Sequence, residues 1–209
     1  MSANHPVTYR NITRKDYPAL EYFIDALFSM PGDSGQKARS YLNRLYLYDC
    51  LYSCTYARAA MLGPRIVGLI LGRRTQSRKY EFSAALRRAF YTAALHLVSK
   101  GRSYYKVYRI FDKTDRQLLY SCPEQFGGEL SLIAVDPRFR HQGIGLTLLG
   151  GFHKYMLSND VRQIYLFTDS TCSFSFYDRQ RFDRICTCYW PKAAAKNTFA
   201  FYLYKFSYF

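Results

Sequence analysis

The sequence has 209 residues, of which 49% are hydrophobic and 22% charged, and its 30 Lys and Arg outnumber its 15 Asp and Glu. This apolar content argues against a disordered chain and suffices for one core, and no apolar run is long enough to span a membrane. The net charge of +15 attracts anions, among them phosphate groups, nucleic acid, acidic substrates and membrane surfaces. Because the first residues lack the zones of a secretory signal, we expect one cytoplasmic domain over residues 1–209.

The first part of the chain predicts a strand, two helices and a hairpin. Apolar positions alternate in the first stretch and then recur at helical spacing. Thr13 and Asp16 form a capping-box pattern at the start of the first helix, and Pro31 and Gly32 end it. The predicted elements are a strand at 7–12, a helix from 13 to 30, a second helix from Asp33 or Ser34 to Tyr52, and strands at 56–61 and 66–71 around a Gly-Pro turn.

The segment 75–126 is basic, and its pattern is mostly helical. Between Arg73 and Arg116 the sequence holds twelve basic and three acidic residues. A run rich in Ala and Leu predicts a helix over 80–100 that Gly101 ends, and a further helix followed by a loop is expected over 103–128. We therefore expect a basic helical insertion between the third and fourth strands.

The last third of the chain has sharper boundaries. The predicted elements are a strand at 129–135, a helix at 144–157, a strand at 162–168, a short helix at 173–180, and strands at 184–190 and 198–206 with a turn at 192–197 between them. Together with the earlier elements, this order predicts an α+β fold in which helices flank one mostly antiparallel sheet.

The cysteines do not suggest a metal site or a disulfide framework. All six, at positions 50, 54, 122, 172, 186 and 188, lack paired Cys-x-x-Cys spacing and nearby histidines. We expect reduced thiols that pack as small apolar side chains, and no metal cofactor.

The loop from Arg140 to Gly145 has the chemistry of a diphosphate site. It follows a strand and precedes a helix, whose first N–H groups have no intrahelical partner and whose dipole favours negative charge. Gly143 and Gly145 lack a Cβ and therefore allow a phosphate to approach the backbone, while Arg140 and His141 add cationic or hydrogen-bonding reach. By itself, this short pattern is equally compatible with an ordinary helix-starting turn.

The residues around the loop carry a family resemblance. The run 130–149, LSLIAVDPRFRHQGIGLTLL, resembles the acetyl-CoA signature of GNAT N-acetyltransferases, with its apolar strand, Val-x-Pro step, Arg-x-x-Gly-x-Gly loop and Leu-rich helix. A second block, 170–182, is similar to the family pattern Asn-x-x-Ala-x-x-Phe-Tyr-x-x-x-Gly-Phe. Phe176, Tyr177 and Phe182 match this pattern, whereas Ser170, Ser173 and Arg181 replace its Asn, Ala and Gly. The resemblance covers the first strand and two helices and residues 129–206, but not 75–126.

The resemblance implies a GNAT-like fold and direct transfer of an acetyl group from acetyl-CoA to a primary amine. Backbone groups of Ile133, Ala134 and Val135 would hold the pantetheine arm, and Ser170 stands where the family has a CoA-contacting Asn. The diphosphate would lie on the amides of the loop and first helical turn, which are those of His141, Gln142, Gly143, Ile144, Gly145 and Leu146.

Two residues are candidates for proton transfer in that reaction. Tyr177 is the candidate general acid that protonates the leaving thiolate, the alternative being a tyrosine that only packs beside CoA. Glu129, at the start of the strand that holds the cofactor, is the candidate base, the alternative being a solvated carboxylate.

The acceptor is not fixed by the sequence. The basic segment 75–126 is either a lid that favours an anionic acceptor or a solvated basic face that adds solubility or protects a dimer contact. Its run 102–109 interleaves aromatic and basic residues, so an RNA-associated binding module is an alternative function that no recognised motif supports. A catalytically degenerate CoA-binding sensor is another alternative. The aromatic last strand, 199–206, is a candidate edge for pairing across a homodimer.

Overall fold

The computed structural model describes residues 6–28, 35–77, 79–190 and 199–208 of the chain. The strands are β1 (Thr8–Asn11), β2 (Tyr56–Leu62), β3 (Arg65–Arg74), β4 (Gly128–Val135), β5 (Gln163–Asp169), β6 (Asp183–Trp190) and β7 (Phe199–Ser207). The helices are α1 (Tyr17–Phe28), α2 (Gln36–Tyr52), α3 (Phe82–Leu97), α4 (Gly101–Tyr120), α5 (Ile144–Leu157) and α6 (Ser175–Arg179). The helix end predicted at Pro31, the cap at Asp33 or Ser34 and the turn at 192–197 lie outside the described residues.

The strands form one sheet in the order β1-β2-β3-β4-β5-β7-β6. All neighbouring strands are antiparallel except β4 and β5, which are parallel. The prediction of a mostly antiparallel sheet flanked by helices, with a helical insertion between the third and fourth strands, is therefore confirmed.

Helices cover both faces of the sheet. On one face α1, α2 and α3 bury an apolar cluster that includes Leu20, Tyr48 and Leu95. On the other face α5 packs Leu148 and Phe152 against the sheet. Among the described residues, no helix is long and apolar enough to cross a membrane.

Helix α4 continues the helical layer across the sheet toward β6 and β7. Its tyrosines near the N-terminal end pack against the α2–α3 cluster, whereas Phe111 and Leu118 pack on β5 and β7. Gly101, predicted as a helix stop, is instead the first residue of α4. A Cβ at Gly101 would lie 1.9 Å from the carbonyl oxygen of Leu95, so only glycine allows the tight turn between α3 and α4.

Candidate active site

A gap opens in the sheet between the parallel strands β4 and β5. The two strands pair only at Gly128 with Ile164 and at Glu129 with Tyr165, so the rest of β4 has no strand partner on that side among the described residues. The Val135 carbonyl accepts a hydrogen bond of 3.3 Å from Arg140 Nε. The N–H of Asp136 donates to Val67 on β3, which directs the backbone groups of the alternate residues Ile133 and Val135 toward the gap. An extended ligand can therefore pair with β4 as an added strand does.

A β-bulge sits at Ser131, where β4 begins to leave β5. The register between β3 and β4 shifts between Leu71 and Gly72, opposite Ser131. The Ser131 carbonyl oxygen accepts a hydrogen bond of 3.1 Å from the hydroxyl of Tyr46 on α2. Because a bulge redirects the chain locally, Glu129 lies on the face of the sheet that α4 covers, beside Tyr165, while Ile133 lies along the gap.

The loop predicted to bind a diphosphate lies at the end of the gap. His141 and Gly143 both adopt left-handed backbone conformations, with φ of 61° and 78°, and α5 starts at Ile144. The first intrahelical bond across this start runs from the N–H of Thr147 to the carbonyl of Gly143, at 2.9 Å. The N–H groups before Thr147 therefore point out of the helix, as anion binding requires.

The residues predicted for this loop differ in exposure. Arg140, His141, Gln142, Gly143 and Leu146 are exposed, whereas Ile144 is buried beneath the helix start. Gly143 has no atom within 4 Å of where a Cβ would be, so the space in front of it is open. The loop thus combines a buried anchor with an exposed backbone surface.

Asp136 fixes the entry to the loop. Its buried carboxylate accepts hydrogen bonds from the guanidinium groups of Arg65 (2.9 Å) and Arg138 (2.7 Å) and from the Arg138 backbone N–H (3.0 Å). These bonds hold the turn that begins at Pro137. Charge-assisted bonds of this kind are stronger than neutral ones, so the loop is preorganised by a pair of arginines that no ligand needs to move.

Tyr177 lies on α6, beside the loop. The neighbouring Phe176 ring lies 3.7 Å from the position of a Cβ on Gly145, which ties α6 to the start of α5. Burial raises the pKa of Tyr177 above its ordinary value, and Cys172 and Tyr204 add to the shift. The phenol therefore stays protonated throughout the physiological pH range.

Across the gap, Tyr46 marks the opposite wall. Burial raises the pKa of its phenol, and Cys50, Tyr108 and Tyr177 add smaller contributions. Sequence reasoning missed Tyr46, because it is one tyrosine among several on an apolar helix stripe.

Glu129 is held by three different side chains. Its Oε2 accepts from the guanidinium of Arg73 (2.6 Å) and from the hydroxyl of Tyr165 (2.7 Å), and its Oε1 accepts from Ser131 (3.0 Å). Oε1 therefore keeps a lone pair for a further donor. Arg73 and Tyr165 were also missed, since their proximity depends on the pairing of β3 and β5 with β4.

Asp115 brings a further carboxylate toward this site from the insertion. It lies on the same face of α4 as Phe111 and Leu118, which pack on β5 and β7, and its carboxylate forms no hydrogen bond or ion pair with another described side chain. Burial raises the pKa of Asp115 to about 7, and the nearby carboxylates of Asp112, Asp169 and Glu129 raise it further. The basic residues of α4 are exposed to solvent, whereas Asp115 is half-buried on the side of the helix that packs on the sheet.

Comparison with known proteins agrees with this geometry. The family model for acetyltransferases of the GNAT family matches residues 24–182, which is more than half of the chain. The chain belongs to the GNAT acetyltransferase family. No curated protein matches its sequence at a significant level.

Solved structures share the GNAT fold with this acetyltransferase at low sequence identity. A GNAT-family protein from Desulfovibrio desulfuricans is 15% identical, with a TM-score of 0.54 and coverage of 97% of this chain and 99% of that one. The ribosomal-protein-S18-alanine N-acetyltransferase from Escherichia coli is 12% identical, with a TM-score of 0.54 and coverage of 97% of this chain and 94% of that one. Arabidopsis thaliana NAA60 in complex with acetyl-CoA is 14% identical, with a TM-score of 0.55 and coverage of 97% of this chain and 99% of that one. At these identities the likeness shows the fold.

The departures from the GNAT pattern at 170 and 181 have visible structural consequences. The hydroxyl of Ser170 accepts a hydrogen bond of 3.2 Å from the Ala200 N–H on β7, so its predicted contact with CoA competes with a partner in the sheet. Arg181 adopts a left-handed φ of 62°, which explains why the family pattern has glycine at this position.

Arg181→Gly is expected to stabilise the protein by about 1 kcal/mol, because glycine adopts a left-handed conformation without the penalty that a Cβ brings. Urea denaturation followed by circular dichroism measures the change. As a matched control, Arg179→Gly in α6 should destabilise the protein by about 1 kcal/mol, since glycine is unfavourable in a helix. A loss of stability in Arg181→Gly would show that its side chain makes contacts that outweigh the strain.

Proposed function

We propose that this GNAT acetyltransferase transfers an acetyl group from acetyl-CoA directly to a primary amine. The observation that carries the proposal is the gap between β4 and β5, which leads from Glu129 to an exposed helix N-terminus with Tyr177 beside it. The unpaired edge of β4 at Ile133 to Val135 suits the amides of a pantetheine arm. The amides from His141 to Leu146 suit its diphosphate.

The reaction requires the acceptor ammonium to lose two protons, of which one reaches the leaving thiolate and one goes to solvent. Glu129 accepts a proton from the acceptor ammonium, directly or through a water, and the free amine nitrogen attacks the thioester carbonyl carbon. Collapse of the tetrahedral intermediate breaks the carbon–sulfur bond and forms the amide. Tyr177 then donates its proton to the CoA thiolate, and the second proton of the attacking nitrogen leaves as the amide forms and restores the Tyr177 phenol through water. The proton on Glu129 returns to solvent.

Glu129→Gln is expected to lower kcat about tenfold or more near neutral pH, because the amide cannot accept the ammonium proton. The pH–rate profile is the decisive measurement. The rate of the variant should recover as the pH approaches the pKa of the acceptor ammonium, because the amine is then deprotonated in solution. Ser131→Ala, which removes only the donor to Oε1, should change kcat much less. An unchanged profile in Glu129→Gln would remove the base role and leave a structural partner of Arg73.

The side chains around the gap favour a cationic acceptor. The carboxylates of Glu129 and Asp169 are close enough to Asp115 to raise its pKa, and of these three only Glu129 has a cationic partner among the described residues. An ammonium group on the acceptor would supply the missing positive charge to Asp115. The hypothesis of an anionic acceptor, which rested on the charge of residues 75–126, finds no support in this placement, because the basic side chains of α4 point to solvent.

A thiol-release assay with acetyl-CoA and a panel of monoamines, diamines and peptides tests the proposal. Amine-dependent release of CoA, with mass-spectrometric detection of the acetylated amine, is the expected result. Tight binding of acetyl-CoA without turnover on any amine would instead indicate a CoA sensor. The absence of acetyl-CoA binding, together with salt-sensitive RNA binding, would indicate the binding module.

A further inference from the structure

Helix α3 carries a continuous apolar face that the described fold leaves uncovered. Its inner face buries Ala84, Tyr91 and Leu95 against α1 and α2. The opposite face carries exposed large apolar side chains, namely Phe82 (72% exposed), Leu86 (57%), Phe90 (62%) and Leu97 (86%). These positions are separated by four, four and seven residues, so they follow one line along the helix.

Small apolar residues fill the positions between the large exposed side chains on this face of α3. Ala89 and Ala93 are exposed between the larger side chains, and no charged residue interrupts the line. Arg87 and Arg88, the arginines of α3, lie outside this line and are held in ion pairs, Arg87 with Glu21 at 3.1 Å and Arg88 with Asp49. Exposed apolar surface of this extent on one helix marks an interaction site rather than random exposure.

Positive charge borders this apolar face on the side of α4. Ala89 and Ala93 of α3 and Tyr105 and Arg109 of α4 line opposite sides of one groove, which places the basic surface of α4 next to the row. That surface consists of Arg102, Lys106, Arg109, Lys113 and Arg116, all exposed. Arg109 and Arg116 share Asp112, whereas Arg102, Lys106 and Lys113 form no ion pair with another described residue.

We propose that α3 and the basic surface of α4 dock this protein on an anionic membrane surface. Phe and Leu side chains would enter the boundary between head groups and acyl chains, and the Lys and Arg side chains would reach the acidic head groups. The apolar side chains project as a ridge from a helix, which a fluid lipid phase accommodates without a preformed groove.

Charge decides between this occupant and a second copy of the chain. A symmetric dimer through α3 would bring two α4 surfaces together, each with an excess of positive charge, and like charges in close contact are unfavourable. A nucleic acid would match the charge of α4 but would leave the row of Phe and Leu without an apolar partner. An anionic membrane satisfies both features at once.

The test is co-sedimentation of the purified protein with phosphatidylcholine vesicles that do or do not contain about 30% phosphatidylserine. Wild type should bind the anionic vesicles, and the double variant Phe82→Ser with Phe90→Ser should bind them about tenfold more weakly or worse. Tyr189→Ser, which removes an aromatic ring of similar exposure (67%) from β6, is the matched control and should bind as wild type does. Lys106→Glu with Lys113→Glu should abolish the preference for phosphatidylserine.

Other outcomes would overturn the proposal. Wild type that does not sediment with either vesicle contradicts it, as does binding that the Phe82→Ser and Phe90→Ser changes leave intact. Light scattering coupled to size exclusion is measured in parallel. A dimer that dissociates in the double variant would assign the face to a second copy. Thermal unfolding checks that the variants are folded, which is expected because the substituted side chains are exposed.

Discussion

Tyr177→Phe is expected to lower the turnover number about tenfold or more, because the variant cannot protonate the departing CoA thiolate. The change removes one oxygen atom and leaves the ring, which packs against Phe182 and Tyr204 with centroid separations of 5.7 and 5.9 Å. Thiol release under saturating acetyl-CoA measures the effect. The affinity for acetyl-CoA, measured by calorimetry, should stay within about twofold of wild type, since packing is retained.

The pH dependence separates a proton donor from a packing residue. Because burial raises the pKa of Tyr177, its phenol keeps its proton well above neutral pH. The wild-type rate should therefore show no loss from ionisation of Tyr177 up to about pH 10, where an ordinary tyrosine titrates. Tyr9→Phe on β1 is the control and should behave as wild type. A variant Tyr177→Phe with the wild-type turnover number would show that Tyr177 only packs beside the cofactor.

Asp115→Asn is expected to lower kcat/KM for a diamine about tenfold or more while changing that for a monoamine of equal length less than threefold. The reason is that an ionised carboxylate binds the second ammonium group through a charge-assisted hydrogen bond of about 1.5–3 kcal/mol, which an amide cannot match. Asp112→Asn is the matched control, because Asp112 already pairs with Arg116 at 3.0 Å. Equal losses for both amines, or none for either, would contradict the role of Asp115.

The same variant should change how stability depends on pH. Burial raises the pKa of Asp115 to about 7, so the folded protein binds its proton more tightly than the unfolded chain. This contribution to the free energy of unfolding is present at acidic pH and is lost as the pH rises toward 7. Asp115→Asn should therefore be more stable than wild type at pH 8, by about 1–3 kcal/mol, and show a smaller difference at pH 5.

The sequence and the structure contributed differently to these predictions. The loop from Arg140 to Gly145 was predicted from a local pattern, because a helix N-terminus binds anions through consecutive backbone groups and so leaves a short motif. The helix from Ile144 to Leu157 was predicted with its observed boundaries for the same reason, since its apolar spacing and the preceding glycine are local. Tyr177 was predicted from its place in the family pattern.

Tertiary contacts determined the rest of the site. Arg73 and Tyr165 reach Glu129 from neighbouring strands, and Tyr46 reaches Ser131 from a helix 85 residues earlier in the chain. Such contacts depend on strand order and register, which periodicity within one segment does not specify. The orientation of α4 was also decided by tertiary packing, although one residue in the sequence pointed to it. Asp115 is a carboxylate within an apolar stripe, where an acidic residue is unfavourable unless a ligand or partner compensates it.

The sequence by itself determined the GNAT resemblance of this protein and its sheet flanked by helices, and it predicted the loop for the CoA diphosphate. Only the tertiary structure decided that the basic insertion turns its positive charge to solvent and a carboxylate toward the gap. Net charge is a sum over residues and carries no direction, whereas substrate selection depends on which side chains face the site. That direction is set by the packing of Phe111 and Leu118 on the sheet, and it is the reason why we propose a cationic acceptor.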